Sequence, residues 1–160
     1  MNRNDGTLLI CRVGTRYLGL RLEIVVRVER AVEIAPWPEA PAGVCGVINV
    51  HGEPVPVLDP RPTLGLEPRL RPRLSDQLVL LRIDTPGGTR SGALLVDETL
   101  GLAPPSDQSK ARPARELVAG LGEEDQVVIV GEHLIIVRGD SVLIPPALSD
   151  AVASLKNAGP

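Results

Sequence analysis

The sequence predicts an all-β fold, a barrel or sandwich of short strands with little helix. Its 160 residues correspond to about one domain, and 43% of them are hydrophobic, which is enough to build one substantial core. One Trp and one Tyr are the only aromatic residues, so Val, Leu and Ile must fill that core, and branched side chains pack well in strands. Sixteen Gly and sixteen Pro are spread along the chain and prevent long helices.

Short apolar runs with turn residues between them predict antiparallel hairpins. Residues 14–16 separate the first two runs, and residues 51–54 have turn chemistry between the next two. Residues 86–88 and 131–133 give two further turns. The predicted strands, in chain order, cover residues 7–13, 17–22, 44–50, 55–58, 78–83, 92–96, 99–103, 127–130, 134–137 and 142–144. Strands do not alternate with long helices, which disfavours a doubly wound nucleotide-binding fold.

The connections in the first half of the chain are of three kinds. Residues 23–28 fit a short helix or a strand equally well, because the segment is rich in β-branched side chains. Three prolines around Trp37 predict a stiff extended connector over residues 36–41, since the residue before each proline is biased away from helix. Residues 62–66 predict one helical turn closed by Gly65.

Two polar connections and a terminal helix complete the chain. Residues 68–74 carry Arg69, Arg71 and Arg73 around a proline, which predicts a solvated loop. Residues 104–115 are polar and bounded by prolines, and we expect a mobile surface connection there. The tail spaces Leu148, Val152 and Leu155 at helical intervals, which predicts a short helix over residues 147–156.

Charge and hydropathy favour a cytoplasmic protein that recognises its partners through local surfaces. The net charge of -3 is too small to draw the protein to nucleic acid or anionic lipid. Residues 1–6 are polar and lack the apolar run of a secretory signal. The most apolar stretch, residues 127–148, contains four charged or imidazole side chains, so we expect no membrane insertion. Cys11 and Cys45 lie in apolar segments and are expected to be buried thiols.

Sets of residues that carry catalysis are scarce in this sequence. His51 and Asp59 flank one predicted hairpin, but no motif places a nucleophile beside them. No phosphate-binding glycine loop is present, and two Cys with two His at unrelated spacings do not predict a metal site. A single-strand nucleic-acid reader would need stacking aromatics beside its arginines, which this chain lacks. We therefore expect no enzymatic activity, no cofactor, no metal and no nucleic-acid partner.

The stretch PAGVCGVINVHGEPVPVLD, residues 41–59, resembles the CheW family of chemotaxis coupling proteins. The runs LLVD at 94–97 and VAGLG at 118–122 are similar to the second half of that family, and the resemblance extends from about Leu8 to Leu155. It implies two intertwined five-stranded SH3-like barrels that share an aliphatic core, with a short C-terminal helix. On this basis residues 7–156 form a single domain, with flexible ends at 1–6 and 157–160.

The resemblance also implies a function without chemistry. Members of the family join the regulatory domain of a CheA-type histidine kinase to the cytoplasmic tip of a methyl-accepting chemoreceptor, at receptor arrays. We expect the isolated protein to be a monomer. Residues at the receptor-facing positions of the family are Arg27, Val28, Val47, Asn49 and His51. Residues at the kinase-binding or turn-forming positions are Gly46, Gly52, Pro56 and Asp59.

Alternation along the strand sharpens the expectation for the receptor-facing residues. Period two places Val47, Asn49 and His51 on one face of their strand, and Ile48 and Val50 on the other. Two departures from the family pattern lie at receptor-facing positions, where His51 replaces a common Arg and Arg27 replaces a frequent Glu, and a third is Pro60, which follows Asp59 in place of the usual Leu. They leave an alternative open, a divergent member that binds only one partner in a motility or developmental pathway.

Overall fold

The computed structural model describes residues 5–31, 33–69 and 71–157 and contains eleven strands in this part of the chain. The strands are β1 (Leu8–Val13), β2 (Arg16–Arg21), β3 (Val25–Arg30), β4 (Val44–Val50), β5 (Glu53–Leu58), β6 (Gln77–Thr85), β7 (Gly88–Val96), β8 (Glu98–Ala103), β9 (Arg112–Pro113), β10 (Gln126–Val130) and β11 (His133–Val137). Two α-helices follow, α1 (Asp140–Leu143) and α2 (Ala147–Asn157), and 3₁₀ turns cover Leu22–Ile24, Pro62–Leu64, Pro105–Asp107 and Ala114–Glu116.

The strands form two sheets built on the same plan. The five-stranded sheet has the order β3-β6-β7-β5-β4, and the six-stranded sheet has the order β8-β1-β2-β11-β10-β9. In each sheet an edge strand pairs with a hairpin, and that hairpin joins a second hairpin through one parallel contact, β7 with β5 or β2 with β11. The N-terminal hairpin thus completes a sheet whose other strands come from the C-terminal half, so the two sheets are intertwined.

Alternation in the strands divides the aliphatic side chains among three clusters. In β6, Leu78 and Leu80 enter the interior of the five-stranded sheet, whereas Val79 and Leu81 enter a cluster shared by both sheets. In β1, Leu8 belongs to the interior of the six-stranded sheet and Leu9 to the shared cluster. Strands buried on both faces need continuous apolar runs, which explains the sequences LLIC and LVLL. The shared aliphatic core expected from the family resemblance is therefore present.

Most predicted hairpins are confirmed, with small changes at their ends. The turn at His51 is shorter than predicted, because Glu53 and Pro54 already belong to β5. The ambiguous residues 23–28 form the end of a 3₁₀ turn and then β3. Gly65 closes the turn at Pro62–Leu64 with a φ of 75°, and the C-terminal helix is confirmed as α2.

Three predictions about connections are wrong. Residues 142–144 do not form a strand, because Asp140–Leu143 form a helix with an N-terminal Asp that suits its dipole. The expected mobile connection at 104–115 is ordered by two 3₁₀ turns, β9 and a bridge between Gln108 and Val130. The arginine loop is not fully solvated, since the Arg69 side chain is 12% exposed and ion-paired. Leu70 lies outside the described residues.

The predicted domain limits, residues 7–156, remain a prediction. Most of the expected flexible ends, residues 1–4 and 158–160, lie outside the described residues. Asp5 accepts hydrogen bonds from the backbone and hydroxyl of Thr7, and these bonds tie residue 5 to the start of β1. In the described part of the chain, neither helix has the length and apolar character needed to cross a membrane.

Candidate partner-binding surfaces

The β4–β5 hairpin carries three of the predicted receptor-facing residues. His51 and Gly52 form its two-residue turn, with φ values of 52° and 84°, as expected for the mirror-image turns that suit twisted hairpins. Asn49 accepts a hydrogen bond from the Gly52 amide at 2.7 Å through its side-chain oxygen. Asn49 therefore stabilises the turn and exposes His51 at its tip, while its own side chain is exposed.

The predicted strand faces are correct along β4 itself. Ile48 is 5% exposed and packs in the interior of the five-stranded sheet, whereas Val47 is half-buried and Asn49 is exposed. Val47 is held from both sides, by Pro56 of β5 and by reciprocal backbone hydrogen bonds with Ala35 at 2.8 and 2.9 Å. His51 differs from the prediction in one respect: it lies in the turn, so strand alternation does not set its direction.

Three of the four predicted kinase-binding or turn-forming residues are buried. Gly46 lies at a bulge of β4, and a Cβ atom there would meet the Ala35 carbonyl oxygen at 2.3 Å. Pro56 is buried in β5, and Asp59 is 8% exposed and pairs with Arg61 at 3.0 Å. Gly52 is exposed in the turn. The bulge and tight turn expected at Gly46 and Gly52 are confirmed, and burial favours a role in the fold for Gly46, Pro56 and Asp59.

The edge strand β3 presents the other two predicted receptor-facing residues. Val28 is 38% exposed and Val26, at a bulge, is 52% exposed. The Arg27 guanidinium contacts the Glu29 carboxylate at 2.6 Å. An exposed pair of this kind contributes about 0–1 kcal/mol to stability, but it neutralises the positive charge at position 27. The strand therefore offers a small aliphatic surface beside a paired charge.

The five predicted receptor-facing residues belong to two separate strands of one sheet. Arg27 and Val28 lie on β3, and Val47, Asn49 and His51 lie on β4 or its turn, and these two strands form opposite edges of the sheet order. A second pair of exposed aliphatic residues, Leu100 and Leu102, lies on β8, the edge strand of the other sheet. Sequence reasoning missed β8 as a surface, because alternate leucines in a strand do not reveal which strand forms the edge.

Neither of the combinations considered for catalysis or metal binding is assembled. His51 and Asp59 are at opposite ends of the six-residue strand β5, so about 20 Å of strand separates them. Burial raises the pKa of the Cys11 thiol to about 12 and that of Cys45 to about 11, which keeps both thiols protonated. In residues 5–31, 33–69 and 71–157, no cluster of three metal-binding side chains occurs.

A mostly buried ionic cluster, which sequence reasoning missed, lies where the two sheets meet. We call Arg12, Asp59, Arg61, Arg69, Asp76 and Asp97 the junction cluster. Arg69 contacts Asp76 at 3.1 Å and Asp97 at 2.8 Å, and Arg12 contacts Asp97 at 2.8 Å. Burial acts to raise the pKa of Asp97, but hydrogen bonds from the Gly14 amide and the Arg61 guanidinium outweigh it and lower the pKa below its ordinary value.

Asp125 and Arg138 form a second buried ion pair. Their side chains are 0% and 5% exposed, and Nη2 of Arg138 lies 3.0 Å from the Asp125 carboxylate. Asp125 also accepts hydrogen bonds from the Gly122 and Gly139 amides. Burial opposes ionisation of Asp125, yet the Arg138 hydrogen bond and these amides lower its pKa. Asp125 directly precedes β10 and Arg138 directly follows β11, so the pair holds the two strands together at the open end of the hairpin.

Comparison with known proteins identifies the family. The scaffolding protein TtCheW from Thermoanaerobacter tengcongensis superposes with a TM-score of 0.67 over 86% of this chain and 87% of that chain, at 20% sequence identity. This similarity confirms the fold of two SH3-like barrels. Curated proteins gave no significant sequence match. The family pattern described as the CheW-like domain matches residues 7–141. The chain therefore belongs to the CheW-like domain family, whose members are non-catalytic scaffold adaptors of chemotaxis signalling.

Proposed function

We propose that this protein couples the regulatory domain of a CheA-type histidine kinase to the cytoplasmic tip of a methyl-accepting chemoreceptor. The match of the CheW-like domain over residues 7–141 is the observation that carries the proposal. We infer that the protein acts in the cytoplasm at receptor arrays and is a monomer when isolated. Its action is mechanical: binding two partners at once fixes their relative positions, and no bond is made or broken.

The exposed edges of the sheets support this role. An adaptor needs small apolar patches with polar rims, because such patches bind specifically without making the free protein insoluble. Val28 on β3 and Val47 on β4 supply apolar side chains, and Arg27, Asn49 and His51 supply the rims. We assign these five residues to receptor binding. Gly52 is the one exposed member of the set considered for kinase binding.

A second candidate function is that of a divergent adaptor which binds only one of the two partners. The observation in its favour is the charge at the receptor-facing positions. Glu29 neutralises Arg27, and His51 stands where an Arg is common in the family. A receptor tip whose binding requires a permanently charged side chain at the hairpin turn would bind this protein weakly.

The variant His51→Arg distinguishes the two candidates. The substitution should strengthen receptor binding by about 1 kcal/mol, the upper end for an exposed ion pair, and should leave kinase binding unchanged. His51→Asn is the matched control, because Asn is neutral and tolerates the left-handed backbone at φ 52°. Titration calorimetry with separate receptor and kinase fragments measures both effects. If His51→Arg binds the kinase fragment more tightly and the receptor fragment with unchanged affinity, the receptor-binding and kinase-binding surfaces have been exchanged in this assignment.

A further inference from the structure

Asp97 occupies the point where the chain passes from one sheet to the other. It is the single residue between β7, in the five-stranded sheet, and β8, in the six-stranded sheet. A change in the angle between the sheets must therefore act on the backbone next to Asp97. The position is the shortest connection between the sheets in the described part of the chain, since the other passage, from β2 to β3, includes a 3₁₀ turn.

Asp97 receives donors from both sheets. From the six-stranded sheet, Arg12 donates to the carboxylate at 2.8 Å and the Gly14 amide donates at 3.1 Å. From the connection between β5 and β6, Arg61 and Arg69 donate to its other oxygen, Arg69 at 2.8 Å. The two oxygens thus divide their partners: Oδ2 binds the β1–β2 hairpin, and Oδ1 binds the connection between two strands of the five-stranded sheet, β5 and β6.

The two arginines on the five-stranded side are anchored independently of Asp97. Arg61 donates to Asp59 at 3.0 Å, and Arg69 donates to Asp76 at 3.1 Å. The Arg69 backbone amide also donates to Asp59, at 2.8 Å. The 5% and 12% exposure of the two arginine side chains shows that solvent contributes little to these contacts. The contacts with Asp59 and Asp76 therefore hold Arg61 and Arg69 in position without any contribution from Asp97.

Asp97 is the carboxylate that all three arginines of the junction cluster contact. The three aspartates carry three negative charges, and Arg12, Arg61 and Arg69 carry three positive charges. Neutralising Asp97 removes a carboxylate that all three arginines contact, although Arg61 keeps Asp59, Arg69 keeps Asp76 and Arg12 keeps the exposed Glu98. Charge-assisted hydrogen bonds are directional, whereas the aliphatic core shared by the sheets is held by a non-directional force.

We propose that Asp97 is a conformational latch that fixes the relative orientation of the two sheets. The shared aliphatic cluster keeps the sheets together. Thr99 of β8 also donates hydrogen bonds to the Gln77 side chain of β6, and the bonds of Asp97, which reach four donors, select one angle between the sheets. Each sheet also has its own interior cluster, centred on residues such as Leu78 or Ile135, so each remains folded when the latch is released. Removal of the Asp97 charge therefore lets one sheet move against the other without unfolding either.

Residual dipolar couplings of backbone amides in Asp97→Asn test the proposal directly. In the unaltered protein one alignment tensor should fit the amides of both sheets. In Asp97→Asn the two sheets should lose this common tensor, while strand amides such as those of Leu80 and Ile135 remain protected from hydrogen exchange. Glu123→Gln is the matched control, because it breaks the exposed pair of Arg115 and Glu123 away from the junction and should retain the common tensor.

A second variant decides the matter if Asp97→Asn does not fold. Arg12→Gln removes only the guanidinium donor from the six-stranded sheet, and the Arg12 side chain is already 38% exposed, so the cost to folding is smaller. It should also abolish the common tensor. Retention of one tensor by every folded variant at position 97 or 12 would overturn the proposal, as would loss of the common tensor in Glu123→Gln.

Discussion

Substitution of Gly46 by Ala should destabilise the protein far more than the loss of one glycine usually does. Gly46 has a backbone φ of 155°, a conformation that residues other than glycine rarely adopt. Its new methyl group would lie 2.3 Å from the Ala35 carbonyl oxygen and 2.7 Å from the Ile34 side chain. Carbon atoms do not approach an oxygen this closely, so the segment that contains Ala35 must move away from β4.

The magnitude follows from the contacts that this movement breaks. Ala35 and Val47 exchange two backbone hydrogen bonds, at 2.8 and 2.9 Å, and each contributes about 0.5–1.5 kcal/mol. The disfavoured backbone conformation adds about 1–3 kcal/mol. We therefore expect Gly46→Ala to lower the free energy of unfolding by about 2–6 kcal/mol, a large part of the 5–15 kcal/mol typical of a domain.

Urea unfolding followed by circular dichroism measures this loss, and Gly43→Ala is the matched control. Gly43 also has positive φ, 83°, but an added Cβ would meet nothing within 4 Å. Only the left-handed conformation is then penalised, at about 1–2 kcal/mol. Equal losses in the two variants would refute the reasoning, because they would show that the contact with Ala35 does not constrain β4.

Three other predictions test the strand faces, the buried carboxylates and the thiols. Ile48→Asp should lower the free energy of unfolding by about 3–5 kcal/mol because it buries an unpaired charge. Val47→Asp should weaken partner binding with little change in melting temperature. Equal falls in the melting temperature of the two variants would show that the buried and exposed faces of β4 are assigned wrongly. Because the folded pKa values of Asp97 and Asp125 are lowered, their stabilisation is complete above the ordinary carboxylate range near pH 4 and is lost as pH falls through the folded values. Stability measured by urea titration should therefore fall below about pH 4, and a flat profile would contradict these shifts. Cys11, with a pKa of about 12, should resist alkylation in the native protein at pH 8 and react after unfolding, and rapid native labelling would show that it is accessible.

Period and turn chemistry were sufficient to predict most of the strands and hairpins, whereas the two SH3-like barrels were expected only from the resemblance to the CheW family. Short apolar runs bounded by turn residues, such as residues 78–83, predicted strands, and the structure shows in addition that Leu78 and Val79 enter different aliphatic clusters. The turn at His51 and Gly52 could be predicted because these residues separate two apolar runs. The faces of Val47 and Ile48 followed from alternation alone.

The parts that were not predictable depend on contacts between distant residues. Arg69 looked like one of three solvated cations, because nothing local reveals its partner Asp97, 28 positions further along the chain. Sequence pattern also could not show that β3 and β8 are edge strands, and so that Val28 and Leu102 are exposed. Edge position is decided by the order of strands in the sheets, which alternation within one strand does not encode.

Formation of a ternary complex shows whether one chain of this protein binds a kinase and a receptor at the same time. Sedimentation velocity of this protein with a CheA-type regulatory domain and a chemoreceptor tip fragment, each also run in pairs, resolves the species present. We expect two binary complexes and one larger complex that contains all three chains. Displacement of the kinase domain by the receptor fragment, or the absence of either binary complex, would contradict it.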